Sequence, residues 1–411
     1  MLRLRKTAVL ALLGAVLAVV LAACGGDDPT NTPVATNTPA PEATPTATLL
    51  PGVPTPTPVP ATPTPVTPAA TPTPSFDAEA YFKGKTIRLM VGYNPGGGTD
   101  AQSRFMSRSL APFIPGNPRM IVTNMTPNLT QRNFVWNQEP DGLIFSLEAT
   151  AGIFDQINPL AEWDMREVSM IGVTSGKDAV WLIKGDMPYT CGPDAYGSTG
   201  PKLVLGTSAP TPADLGSQIA PAWYADTFGI PLQIRNLASA GSAEQYIMIE
   251  RGDTNSWYTS TVWGQLPRMR PGWLSSGFIR GFMDMSYPGY TLGANAEMDG
   301  FPCPVVDSIL ETPEQHAIWN SITGPRTYAS KNLIGPPNMD PNVLKALRDA
   351  LTAAMNDETY VADMEAFTGI TSTFTDGETA QQELIDTTQA FLDNQAAIDA
   401  IQADIFEKYV N

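Results

Sequence analysis

The chain has 411 residues, and its formal net charge of −17 argues against nucleic acid and anionic lipid surfaces as partners. Its one histidine, His316, excludes a His-rich metal site and leaves any Ser-His-Asp chemistry dependent on that residue. We therefore predict no metal, no cofactor and no enzymatic activity. The length beyond residue 75 suffices for two lobes with hydrophobic cores.

Residues 1–24 are predicted to be an export signal. Arg3, Arg5 and Lys6 precede an apolar run over residues 7–21, and the segment ends in the sequence LAAC at 21–24. That ending resembles the lipobox of bacterial lipoproteins, which predicts Cys24 as the lipidation site. An ordinary signal peptide or a single membrane anchor is the alternative, although about 15 apolar residues are short for a span of ~20. The expected location is extracytoplasmic, with contact to the cell membrane only through a lipid anchor.

Residues 25–75 are predicted to be a disordered linker. Residues 27–75 contain 15 Pro and 14 Thr but no Lys, Arg or aromatic residue. Such a segment cannot bury enough apolar surface to offset the entropy lost on ordering. A proline-rich chain extends about 3.1 Å per residue, so the linker could reach roughly 150 Å from the membrane.

The most informative pattern lies at residues 84–110. A strand-like run at 86–91 is followed by the sequence YNPGGGTD at 93–100 and then by a helical apolar pattern. Glycines let a backbone approach a ligand closely, and the first N–H groups of a helix have no partner within it. The pattern predicts a site for a carboxylate or a phosphate, formed by Tyr93, Asn94, Gly96, Gly97, Gly98, Thr99 and Asp100.

The rest of the chain alternates strand-like and helical segments. Strand-like runs occur at 120–123, 143–147, 170–173, 179–183, 202–205 and 232–237, with helical patterns near 213–228 and 243–250. This order predicts an α/β fold with mainly parallel sheets, in which ligands bind at the carboxyl ends of strands. Small or hydroxyl residues follow several of these strands, namely Thr150, Thr207, Ser208, Thr211, Ser239, Ala240, Gly241 and Ser242. Each loop alone is typical of a plain helix cap, but their joint occurrence favours a shared ligand site.

The remaining cysteines and the histidine each allow a simple interpretation. Cys191 and Cys303 form either one disulfide or two free buried thiols. His316 ends the sequence TPEQH at 312–316, which is typical of a capped helix start with an exposed histidine.

The segment 84–100, GKTIRLMVGYNPGGGTD, resembles the opening of the substrate-binding proteins of tripartite tricarboxylate transporters. Smaller similarities extend the resemblance over nearly all of residues 80–405. They occur at 120–124, 140–142, 157–159, 206–208, 252–253, 340–341 and 367–370.

The resemblance implies a two-lobed, type II periplasmic-binding-protein fold with a ligand cleft between the lobes. Residues 76–172 and 279–411 are expected to form one discontinuous lobe, and residues 173–278 the other. The glycine loop and Thr150 would then face the hydroxyl residues of the second lobe. The implied ligand is a small organic carboxylate, the implied partners are integral-membrane permease subunits, and we expect a monomer.

Two parts of the chain depart from the family pattern or leave alternatives open. The sequence PAD at 212–214 replaces a usual Ser/Gln-His pair, and IRNLA at 234–238 replaces a usual VPYKG segment. Asp214 either binds an amine on the ligand or caps a helical turn. The aromatic residues Trp257, Tyr258 and Trp263 either line a pocket or pack in the interior.

We thus expect an extracytoplasmic receptor that captures a carboxylate and presents it to a permease. The first alternative is a secreted enzyme that uses the glycine loop to hold an acyl or phosphate group. A surface adhesin on a Pro-Thr stalk is the second alternative, but it leaves the strand-end loops unexplained.

Overall fold

The computed structural model describes residues 76–148, 150–175, 178–207, 211–237, 241–260, 262–286, 290, 292–328 and 331–410. The side chains of residues 150, 151, 213, 217 and 324–328 are outside this description. The predicted export signal, Cys24 and the linker at 25–75 also lie outside the described residues, and they stay predictions.

Strands and helices alternate through most of the described chain, close to the bounds predicted from the sequence. The strands are β1 (Thr86–Val91), β2 (Arg119–Asn124), β3 (Ile144–Glu148), β4 (Ser169–Ser175), β5 (Ala179–Lys184), β6 (Leu203–Thr207), β7 (Leu232–Asn236), β8 (Ser256–Ser260), β9 (Ile279–Asp284), β10 (Lys331–Gly335) and β11 (Thr375–Asp376). The helices are α1 (Ala78–Phe82), α2 (Gly98–Ser109), α3 (Asn128–Trp136), α4 (Ile219–Phe228), α5 (Ser242–Arg251), α6 (Leu266–Met269), α7 (Pro313–Tyr328), α8 (Pro341–Met355), α9 (Glu358–Thr368), α10 (Gly377–Asp393) and α11 (Gln395–Tyr409).

The largest sheet has the strand order β11-β4-β10-β3-β1-β2. Strand β1 is parallel to β2 and β3, and β10 is antiparallel to both β3 and β4. Strands β1 to β4 therefore all point the same way, and their carboxyl ends lie at one edge of the sheet. In α/β proteins this edge is where ligands bind.

The strands between β4 and α7 form two smaller sheets. Strand β5 is antiparallel to β8 and β9, whereas β6 and β7 form a parallel pair. The prediction of mainly parallel sheets fails for β5, β8 and β9, because connections set strand direction and residue periodicity does not encode them. Strand β9 lies in the segment 279–411 predicted for the first lobe, yet it pairs with β5. The lobe limits stay a prediction.

Buried apolar side chains hold these sheets and helices together. One cluster joins Trp181 of β5 to Phe154 and to Phe391 of α10. A second cluster packs Phe145 of β3 against Leu347 of α8. Each large side chain removed from water contributes about 1.5–3 kcal/mol to folding. This packing fixes the strand ends from which the loops of the candidate site extend.

Helix α7 begins as its sequence predicts. The Thr312 hydroxyl accepts a hydrogen bond from the Gln315 N–H at 3.2 Å, and Pro313 occupies the first helical position. The His316 side chain is 38% exposed, and its Nδ1 lies 3.0 Å from an Asp307 carboxylate oxygen. The predicted capped helix start is therefore confirmed, and its histidine is partly buried.

The structure joins Cys191 and Cys303 in a disulfide, with Cα atoms 5.5 Å apart. The bond ties the turn before residues 192–195 to the segment that follows β9. None of the helices in the described residues combines the length and apolar composition that a bilayer span requires.

Candidate ligand-binding site

The glycine loop connects β1 to α2 and places a helix N-terminus at the carboxyl edge of the large sheet. Gly96 has φ +93°, a conformation that favours glycine, and Gly97 is the extended residue before α2. The N–H groups of Gly98 and Thr99 are in the first turn and have no acceptor among the described residues. Such groups, together with the helix dipole, favour an anion.

Asp100 braces this loop from within. The carboxylate is 3% exposed and accepts hydrogen bonds from the Gly96 N–H (3.0 Å), from Arg104 Nε (2.9 Å) and from Asn124 Nδ2 (2.9 Å). Burial raises the pKa of the Asp100 carboxyl, but the hydrogen bonds that it accepts lower it more, so the pKa lies below its ordinary value. Asp100 thus supports the loop, while its predicted contact with a ligand stays a prediction.

The N-terminus of α5 lies against the same loop. Asn94 Nδ2 donates a hydrogen bond to Glu244 Oε1, in the first turn of α5. Gly241, with φ +153°, precedes α5, and a Cβ there would lie 3.1 Å from Tyr93 Cδ1. The other Glu244 oxygen, Oε2, is buried and accepts no hydrogen bond among the described residues. Two helix N-termini therefore meet at the glycine loop.

Gln265 approaches Gly98 from a third direction. Its side chain is 1% exposed, and neither Oε1 nor Nε2 has a hydrogen-bond partner among the described residues. A Cβ at residue 98 would lie only 2.6 Å from the Gln265 Cδ, so the glycine is what admits the amide. Gln265 was not predicted from the sequence, because its approach to Gly98 depends on packing between segments that are distant in the chain.

A buried ion cluster lies at the carboxyl end of β3. Arg132 of α3 is 3% exposed and pairs with Glu148 at 2.9 Å and with Asp155 at 2.6 Å. Burial lowers the pKa of the Arg132 guanidinium, but the charges of Asp155 and Glu148 raise it more, so the group stays charged. This cluster was not predicted from the sequence, because Arg132 is 16 and 23 residues away from its two partners.

Other predicted site residues have different settings. Thr207 is buried at the end of β6. Asp214 accepts hydrogen bonds from the Thr211 N–H at 3.1 Å and from its hydroxyl at 2.5 Å, which is a capping contact. Thr150 begins a helical turn at Thr150–Ile157, and its side chain is not described. Predicted residues outside the described part of the chain are Ser208, Ser239 and Ala240.

The aromatic residues of the second half pack in the interior. Trp257, Tyr258 and Trp263 are each 2% exposed. Trp257 contacts the Tyr246 ring at a centroid distance of 5.1 Å, and Trp263 contacts Phe301 at 4.8 Å. The packing interpretation is therefore the one that the structure supports.

The structure thus brings together Tyr93, Asn94 and Gly98 with Gly241, and it adds Glu244 and Gln265 to them. Backbone N–H groups, two side-chain amides and one carboxylate surround this point, which suits binding through hydrogen bonds. Within the described residues, no group of three His, Cys, Asp or Glu side chains is arranged to hold a metal ion.

Comparisons with known proteins give a result only at the level of structure. No family model matches the chain, and no curated protein matches it in sequence. The fold is similar to that of the periplasmic binding protein BugD, with a TM-score of 0.56 and 14% identity over 80% of this chain and 99% of that one.

Two further solved structures are similar over comparable lengths. Rpa4515 of R. palustris, solved with adipate, gives a TM-score of 0.56 and 16% identity over 76% of this chain and 97% of that one. MatC from Rhodopseudomonas palustris, solved with bound malate, gives a TM-score of 0.54 and 11% identity over 77% and 99%. The predicted α/β fold is confirmed, and this chain has the fold of the periplasmic solute-binding proteins.

Proposed function

We propose that this protein is an extracytoplasmic receptor that binds a small organic carboxylate and delivers it to a membrane permease of the tripartite tricarboxylate type. The observation that carries the proposal is the start of α2, where the Gly98 and Thr99 N–H groups have no acceptor among the described residues. A carboxylate oxygen is the acceptor that such a helix start favours, by about 0.3–1 kcal/mol and up to ~2 kcal/mol when partly buried.

The N-terminus of α5 lies beside this helix start. The glycine loop meets α5 through the contacts of Tyr93 with Gly241 and of Asn94 with Glu244. A ligand that touches both α2 and α5 adds contacts that exist only when these elements are close together, and it shifts the population toward that state. Two proteins of the same fold were solved with adipate and with malate, which are both carboxylates.

The groups around the start of α2 suit a binding protein better than a secreted enzyme. Of the nearby carboxylates, Asp100 is paired with Arg104, and Glu244 accepts a hydrogen bond from Asn94 through Oε1. Covalent catalysis needs a nucleophile with a base in hydrogen-bond reach. His316 instead pairs with Asp307 next to the start of α7.

The N-terminal sequence supports a proposal for the location and the membrane attachment of the receptor. We place the protein outside the cytoplasm, as a monomer, with the lipid on Cys24 as its only membrane contact. The linker at 25–75 would carry the folded part away from the lipid surface, where permease subunits can reach it.

A thermal-shift panel on the full-length chain in mild detergent tests the proposal. The panel contains mono-, di- and tricarboxylates, the alcohols and amides of the same carbon skeletons, and inorganic phosphate. We expect at least one carboxylate to raise the melting temperature in a saturable manner, because a ligand that binds only the folded state stabilises it. A shift with phosphate or the neutral analogues but with no carboxylate would refute the carboxylate assignment.

A further inference from the structure

The Gln265 side chain carries a buried amide next to the start of α2. It is 1% exposed, yet its carbonyl oxygen and its NH2 group both lack a hydrogen-bond partner among the described residues. Buried amides are nearly always hydrogen-bonded, because an unpaired buried donor or acceptor loses its hydration without compensation. An amide that faces the start of a helix therefore points to a missing partner at that place.

The backbone that carries Gln265 is closely packed. The 264–265 backbone lies against Gly369, where a Cβ would come within 2.8 Å of the Gln265 Cα. Just beyond it, the Arg268 guanidinium stacks over the Phe367 ring at 4.2 Å from the centroid. These contacts hold the backbone from which the Gln265 side chain extends toward the helix start.

Gly98 completes this arrangement from the other side. Any side chain at residue 98 would displace the amide, since even a Cβ would lie 2.6 Å from the Gln265 Cδ. One turn further along α2, Gln102 is fully buried, and its Oε1 has no partner within the described part of the chain. The start of α2 therefore presents backbone donors beside a side chain that both donates and accepts.

A carboxylate alone cannot satisfy these groups. An ionised carboxylate only accepts hydrogen bonds, so it can pair with the N–H groups of α2 and with Gln265 Nε2. The Gln265 Oε1 needs a donor, and a hydroxyl group supplies one while it can also accept from Nε2. The best-matched ligand thus carries a hydroxyl close to its carboxylate.

We propose that Gln265 is a specificity-determining residue that selects carboxylates bearing a neighbouring hydroxyl group over carboxylates that lack it. This inference rests on the proposed function. It adds the class of ligand, a hydroxycarboxylate, and the side chain that recognises the hydroxyl group. Gln265 Nε2 and Oε1 would form hydrogen bonds with the hydroxyl while the Gly98 and Thr99 N–H groups bind the carboxylate.

The test compares pairs of acids that differ only by the hydroxyl. Titration calorimetry of the full-length chain with L-malate against succinate, and with L-lactate against propionate, measures the preference. We expect the hydroxy acid of at least one pair to bind about tenfold tighter or more, because leaving a buried amide unpaired costs about that factor. In Gln265→Met the preference should fall to within about threefold.

Two controls make the result decisive. Gln402→Met removes another buried glutamine, in α11, whose Nε2 also lacks a partner among the described residues, and it should keep the wild-type preference. If Gln265→Met folds poorly, Gln265→Leu also removes the amide and replaces it with a different apolar side chain. Equal binding within both pairs, or a preference that survives in the Gln265 variants, would overturn the inference while leaving the proposed function standing. If no carboxylate binds the wild-type protein at all, the proposed function fails and this inference fails with it.

Discussion

Asn94 donates a side-chain hydrogen bond to Glu244, and this contact joins the glycine loop before α2 to the first turn of α5. The two residues are 150 positions apart in the chain, and each lies at a helix start that we assign to ligand binding. Because one partner is a carboxylate, the bond belongs to the stronger, charge-assisted class.

Replacing Asn94 tests whether this contact supports binding. We expect Asn94→Ala to weaken carboxylate binding by about tenfold. A hydrogen bond to a charged group contributes about 1.5–3 kcal/mol, and only part of that energy stabilises the approach of α5 to the loop in the bound state. Titration calorimetry measures the loss. The matched control is Asn137→Ala, which removes an exposed Asn137–Glu162 hydrogen bond of 2.8 Å and should leave affinity unchanged. If Asn94→Ala binds the carboxylate with wild-type affinity, the Asn94–Glu244 contact does not support ligand binding.

A side chain at residue 98 should displace the Gln265 amide. In Gly98→Ala the new Cβ would collide with the Gln265 amide, whose Cδ lies 2.6 Å from that position. We expect at least a tenfold loss of carboxylate affinity, although alanine alone would favour a helix by about 1 kcal/mol. Gly300→Ala is the control, because nothing lies within 4 Å of a Cβ at that residue. If Gly98→Ala binds as well as Gly300→Ala, the close approach at the helix start has no role in binding.

The Asp100 brace predicts a pH dependence of stability. Because the pKa of the Asp100 carboxyl is lower in the folded protein, its contribution is complete above the unfolded-state pKa of about 4 and disappears as pH falls through the folded-state value. We expect Asp100→Asn to lower the free energy of unfolding by about 1–3 kcal/mol at pH 7. The difference in free energy of unfolding between the wild-type protein and Asp100→Asn should decrease below about pH 4.

Urea unfolding at several pH values measures this difference. Asp349→Asn is the control, because Asp349 forms an exposed pair with Lys345 at 2.7 Å and such pairs contribute about 0–1 kcal/mol. A gap for Asp100→Asn that stays constant from pH 7 to pH 3 would contradict the assignment of the brace to the ionised carboxylate.

Removing the Arg132 charge should strongly destabilise the fold. Arg132→Met leaves Glu148 buried without its cation, and we expect a loss of about 3–5 kcal/mol in the free energy of unfolding. Urea unfolding at pH 7 measures it. Arg166→Met, which breaks a half-exposed pair with Asp164, should cost about 1 kcal/mol or less. Equal effects in the two variants would show that the buried cluster is not a structural support.

Local sequence patterns predicted the strands and the first wall of the site. The apolar run at 86–91 and the triple glycine after it placed β1 and the start of α2 correctly, because both depend on neighbours in the chain. The same local logic assigned Asp100 to the ligand, and that contact stays a prediction. The spacing of four residues between Asp100 and Arg104 was the sequence clue to the ion pair that supports the loop.

The opposite wall could not be predicted in this way. Glu244 and Gln265 acquire their positions from the packing of α5 and of the segment after β8 against the glycine loop. Nothing in the residues around them encodes that approach. Strand direction failed for the same reason, since β5, β8 and β9 are antiparallel through connections that periodicity does not reveal.

A crystal structure of the full-length protein with its best-binding carboxylate tests the central claim most directly. We predict a carboxylate oxygen about 2.7–3.2 Å from the backbone nitrogens of Gly98 and Thr99. A carboxylate bound elsewhere, with these two N–H groups left to water, would contradict the assignment of the α2 N-terminus as the anion site.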